Sequence, residues 1–198
     1  MMRYLVIILL FIILTGCGSA PPVPTDHFYR FKTPTQNDIG KQRLTDQVIY
    51  INSFLAEGLY NERALLYTND NLSQELQQYH YHFWITSPPD LLRDYLVSFL
   101  RAADTSPVII TGAGITDGLQ ITGRVTEFEK LDSGDQSSVN VALELRLDKQ
   151  GNELPLLLKE YRANEQVQGK SLTDVITSFN TAVLRIYSDF LTDMETAL

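Results

Sequence analysis

The sequence predicts a single α/β domain in which a mixed, largely antiparallel β-sheet packs against two main α-helices. The strongest sign is strict alternation: Val139, Val141, Leu143, Leu145 and Leu147 interleave with Asn140, Ala142, Glu144, Arg146 and Asp148. That is the period of a strand wet on one face. Two other segments, opening at Ser87 and Ser171, carry apolar stripes at helical spacing instead. Strands, helix, strands, helix, with an antiparallel meander between the helices, is the order of a layered α/β structure. Which sheet face each helix covers is left open by these patterns.

The chain begins with a leader. Arg3 supplies a positive start, Tyr4 to Leu14 is an unbroken apolar run, and Leu14-Thr15-Gly16-Cys17 ends in the sole cysteine of 198 residues. Eleven residues of helix reach ~16 Å, about half of a ~30 Å hydrocarbon core, so the run suits a secretory signal better than a membrane span. Small residues leading into Cys are what a bacterial lipoprotein signal peptidase needs. Residues 1–16 are thus expected to be a lipoprotein signal peptide, cut between Gly16 and Cys17, with Cys17 the site of lipid attachment. An ordinary signal peptide that happens to hold a Cys is the competing reading. Residues 17–26 (CGSAPPVPTD) then form a Pro-rich tether, and Gly18 in place of the Asp that commonly retains a lipoprotein at the inner membrane favours the outer membrane. The domain proper is expected over 27–198, facing the periplasm.

Charge narrows the partners. The chain carries a net charge of −8, and losing Arg3 with the leader makes the mature form one unit more negative. Such a surface argues against nucleic acid and against a basic patch on anionic lipid. Attachment must come from acyl chains, of which two or three hold a protein durably. One cysteine excludes disulfides and thiolate clusters within the chain.

Along the domain, Phe28–Phe31, Val48–Phe54, Arg63–Tyr67 and Tyr79–Trp84 are expected strands. Ser87 is placed to cap a helix, Pro88 suits its first position, and Asp90 completes a capping spacing. The stripe Leu91, Leu92, Tyr95, Leu96, Phe99 and Leu100 follows, ending near Ala103. A short strand at Val108–Thr111 precedes a hairpin. Its first arm holds Leu119, Ile121 and Val125, its polar turn spans Leu131 to Gln136, and its second arm is the alternating run above. A last strand is expected at about Leu156–Arg162. Ser171 with Asp174 opens the second helix, whose stripe runs through Leu172, Val175, Ile176, Phe179, Val183, Ile186, Tyr187 and Phe190.

Chemistry is harder to find. His80 and His82 share a strand face and such a pair can hold a metal, but only Glu75 is near enough to be a third ligand, and His27 adjoins the tether. Gly112-Ala113-Gly114 lacks the third glycine and the following helix of a dinucleotide fingerprint. Ser106, Ser133, Ser137 and Ser138 have no nucleophile elbow and no nearby histidine. The expectation is no enzyme, no cofactor and no metal. The aromatic segment Tyr79, Tyr81, Phe83 and Trp84, with Tyr60 and Tyr67, is either strand core or a contact surface. Tyr60, Tyr79, Tyr81 and Trp84 are the candidate partner-binding residues.

With these elements in order, the chain resembles the ABC-type transport auxiliary lipoproteins, the family of the Pqi lipoprotein partnered with MCE-domain proteins. The likeness rests on the lipobox, Gly58-Leu59-Tyr60, Arg63 and Tyr67, Tyr79 to Trp84, Pro88-Pro89 with a Leu-rich helix, the hairpin from Gly118 to Asp148, and the capped C-terminal helix. It covers nearly all of the mature domain, although the polar tract Asn69–Gln78 is longer than the family pattern would have it. The resemblance implies a periplasm-facing α/β domain, lipid-anchored in the inner leaflet of the outer membrane. Its implied role is the auxiliary, docking component of an envelope lipid transport system with an ABC permease and an MCE-domain protein as partners. A homo-oligomer is a possible state, because a symmetric conduit invites a symmetric cap. The alternative is an assembly or regulatory lipoprotein, such as a cell-wall synthase activator or a pore plug.

Overall fold

The computed structural model describes residues 23–69, 74–112 and 118–198. The leader, Cys17, the first part of the tether and Ala113-Gly114 lie outside the described residues. Among the described residues nine strands and two main helices form one layered unit: β1 (His27–Tyr29), α1 (Gln36–Ile39), β2 (Ile49–Ile51), β3 (Leu55–Ala56), a 3-10 turn (Gly58–Asn61), β4 (Ala64–Asn69), β5 (Gln77–Trp84), α2 (Pro88–Ala102), β6 (Ile109–Thr111), β7 (Leu119–Ser133), β8 (Gln136–Lys149), β9 (Leu157–Gln166) and α3 (Leu172–Ala197). The α/β class and both main helices stand where the sequence puts them.

Strand β7 is the spine of the sheet. Along one side it pairs antiparallel with β8 from Leu119↔Lys149 to Ser133↔Gln136, and β9 continues beyond β8. Along its other side it meets three strands in succession, all parallel: β2 at Leu119, β3 at Arg124 and β4 at Lys130. β6 flanks β2 in parallel, β5 flanks β4 antiparallel, and β1 lies parallel against β5 (Phe28↔Phe83). Among the described residues the two long antiparallel ladders, β7–β8 and β8–β9, carry most of the paired positions, and five short parallel pairings make the sheet mixed.

The hairpin corrects the expected turn. Both arms run on through residues 131–133 and 136–138, and the loop is only Gly134-Asp135, with Gly134 at φ +59°, as a tight hairpin turn requires. The arms also slip by one residue between Val125 and Glu127, a β-bulge that leaves Thr126 without an opposite residue. Before the bulge Leu119, Ile121 and Val125 face the core; after it Phe128 does. The shift breaks the alternation, which is why the arm reads short from sequence.

Both helices cover one face of the sheet and touch each other, the buried Tyr187 hydroxyl of α3 donating to the Leu92 carbonyl of α2 at 2.8 Å. Every stripe residue of α2 is buried, as is the α3 stripe from Val175 onward. Ser171 caps α3 as expected: its Oγ accepts from the Asp174 amide, and the Asp174 carboxylate accepts from the Ser171 amide. Ser87 stands at the N-cap of α2, but its hydroxyl donates to Asp90 Oδ2 at 2.8 Å instead of accepting from the backbone. The opposite face of the sheet is held by exposed charge pairs, Arg124–Glu57, Arg146–Asp148 and Arg162 with Glu127 and Glu160. Each such pair contributes little by itself. No helix among the described residues is long and apolar enough to cross a membrane.

Candidate functional site

Strand β5 carries the aromatic segment, and its pairing decides where each ring goes. Ala64 of β4 pairs with Phe83, while Leu66, two residues on, pairs with Gln78, five residues back. The extra residues of β5 make an irregular stretch over 79–82, and simple alternation fails there.

Trp84 corrects the expected contact surface. It is 1% exposed and packs among Phe31 (5.4 Å between ring centroids), Phe128 (5.1 Å) and Phe179 (5.4 Å). An aromatic ring of that size, ringed by three others under α3, is core material. The other three predicted residues do not form one patch. Tyr60, from the 3-10 turn, is half-buried and donates to Glu129 Oε2 at 2.5 Å. Burial, then that hydrogen bond, pushes the Tyr60 phenol well above its ordinary value, and burial raises the Glu129 carboxyl. Tyr79 is half-buried, its ring tilted against that of Tyr67 with centroids 4.6 Å apart, and its hydroxyl accepts from Lys130 Nζ at 3.4 Å. Tyr81 is 44% exposed.

The two strand histidines separate as well. His82 stacks on His27 of β1 at 4.9 Å with the rings nearly parallel, and its Nδ1 is hydrogen-bonded to the Tyr29 hydroxyl at 2.9 Å. Burial and the neighbouring His27 both lower the His82 pKa, favouring the neutral ring. His80 is exposed beside Tyr81, and the Glu75 carboxylate accepts from Gln77. Among the described residues no three His, Cys, Asp or Glu side chains converge as a metal site would require.

What the fold does assemble is a corner that sequence reasoning missed. Register places Tyr29 beside Trp84 on the core face and Phe28 beside Phe83 on the opposite face. The Phe28 and Phe83 rings lie 5.9 Å apart, and the Arg63 guanidinium sits 5.3 Å above the Phe28 ring. Arg63 Nε donates to the Trp84 carbonyl at 3.2 Å, which fixes its stem. These residues, with Asp26, Glu62, Ala64 and Gln78, line an open cleft of about 360 Å³. A cation over an aromatic face is a stabilising pair worth about 0.5–1 kcal/mol where exposed. The only sequence sign of this corner is Phe28 alternating with Tyr29; the β1–β5 pairing spans more than fifty residues and leaves no local trace.

No family model and no curated protein matches the chain. Solved structures do. Protein XCC0632 from Xanthomonas campestris, of family DUF330, superposes with a TM-score of 0.72 at 13% identity, over 83% of this chain and 92% of that one. An uncharacterized protein superposes with a TM-score of 0.68 at 13% identity, over 85% and 98%. At that identity what is shared is the fold: one mixed sheet with its helices, over almost the whole of both relatives.

Proposed function

We propose that this chain is a non-enzymatic, membrane-anchored lipoprotein that acts as the auxiliary, docking component of an ABC/MCE-type envelope lipid transport system. Acyl chains on Cys17 hold it in the inner leaflet of the outer membrane, and the domain faces the periplasm. The observation that carries the reading is the sequence Leu14-Thr15-Gly16-Cys17 followed by a Pro-rich tether into an edge strand. An anchor at one end of a short tether confines the domain near its membrane, and confinement raises the effective concentration for a second, weak contact. Its partners in this reading are an MCE-domain protein and, through it, the permease; copies of the chain closing into a ring would match the symmetry of such a conduit.

The wide open face of β7, β8 and β9 supports a docking role. It is rigid, because β7 is paired on both sides, and it bears Glu144, Arg146, Glu160 and Arg162, of both charge signs, which suit an oriented protein contact better than a lipid tail. The test is crosslinking in intact cells with a photoreactive residue at Glu144. The expected product contains an MCE-domain protein. Recovery of a cell-wall synthase or a pore protein in its place overturns the transport assignment in favour of an assembly or regulatory lipoprotein.

A further inference from the structure

The chain enters the described domain at Val23 and joins β1 at His27, so the β1–β5 edge is the part of the domain nearest Cys17 along the backbone. At no more than ~3.6 Å per residue, the ten steps from Cys17 to His27 span at most about 36 Å. If Cys17 is the anchor, as proposed above, this edge stays within that distance of the bilayer whatever path the tether takes. No other edge of the sheet is tied so closely.

The same edge carries an unusual set of side chains. On the face turned away from the Trp84 core, Phe28 is 55% exposed beside Phe83, with Arg63 stacked over it. Tyr81, 44% exposed, and Ile85, 49% exposed, flank Phe83 along the chain. Aromatic rings and arginine together are the composition of a membrane–water interface: the rings sit at headgroup level and the guanidinium reaches phosphate. The charges lining the cleft are mixed, Arg63 beside Asp26 and Glu62, in a chain of net charge −8. That balance matches a headgroup carrying both signs and disfavours an anionic one.

We infer that the Phe28–Phe83–Arg63 corner is a second membrane contact, seated on the interface of zwitterionic phospholipid. The acyl chains hold the protein to the bilayer; the corner sets its orientation. Edge strand β9 and the charged open face, far along the sheet from β1, then point into the periplasm where a protein partner can reach them.

Depth-dependent fluorescence quenching tests this. The chain from Cys17 onward is coupled through its sole thiol to maleimide-bearing lipid in phosphatidylcholine vesicles, so attachment does not depend on natural acylation. Phe28→Trp and, independently, Ile85→Trp report on the corner; Leu158→Trp, at a position 53% exposed on β9, reports on the far edge. Native Trp84 is buried and gives a constant background. The expected result is that doxyl-labelled lipid quenches the probes at 28 and 85 several-fold more strongly than the probe at 158. Equal quenching at all three, stronger quenching at 158, or none at any position overturns the contact. A parallel arm uses the naturally processed protein: its failure to float with vesicles, while the coupled chain is quenched at 28, sinks the Cys17 anchor and leaves the corner standing. Flotation without quenching does the reverse.

Discussion

Trp84 and Tyr81 lie three residues apart on one strand, and the sheet treats them in opposite ways. Trp84 is enclosed by Phe31, Phe128 and Phe179, whereas Tyr81 stands in solvent. Truncating Trp84 to Ala removes a large buried ring and is expected to destabilise the domain by about 3–5 kcal/mol. Tyr81→Ala is expected to change stability by no more than about 0.5 kcal/mol. Urea denaturation of both variants checks this, and comparable losses would contradict the placement of the two rings. The sequence makes the segment legible as an aromatic strand but not which rings turn inward. Orientation depends on the irregular pairing of β5 with β4, where two residues of one strand span five of the other. The Phe28–Phe83–Arg63 corner is illegible for a related reason: it exists only once β1 has paired with β5.

At the scale of elements, legibility followed how local the signal is. Helices α2 and α3 carry their whole explanation within themselves, in a stripe and an opening turn, and both stand within a residue or so of expectation. The four-residue α1 is too short for any periodicity, although Thr35 and Asp38 form a capping box there like that of Ser171 and Asp174. Strand β7 shows how packing enforces composition. A Cβ at Gly123 would lie 2.7 Å from the Phe54 ring, which is itself buried, so the glycine is the floor on which that ring rests. Gly123→Ala forces the ring or the strand to move and is expected to cost about 1–3 kcal/mol through overpacking. Pairing it with Phe54→Leu should recover part of that loss. A double-mutant cycle by thermal denaturation in which the two changes simply add would show that the contact is not the cause.

For the molecule as a whole, the long hairpin organises everything else. It offers β2, β3 and β4 one continuous parallel edge, and it gives both helices a common floor. The class of fold was legible because the hairpin alternates and the helices are capped. The five parallel pairings were not, since each joins strands whose separation in sequence is bridged only by tertiary structure. One consequence is functional: parallel pairing of β1 against β5 puts the start of the domain at a sheet edge, so the tether from Cys17 joins the domain beside an exposed aromatic corner. In the proposed arrangement, anchor, corner and open face lie in sequence from membrane to periplasm. All of it depends on acylation at a single sulfur. Intact mass analysis of the protein extracted from envelope membranes tests that directly. A chain that starts at Cys17 and carries diacylglycerol on its thiol is the expected result; a chain with residues 1–16 still attached and that thiol unmodified would contradict lipid anchoring.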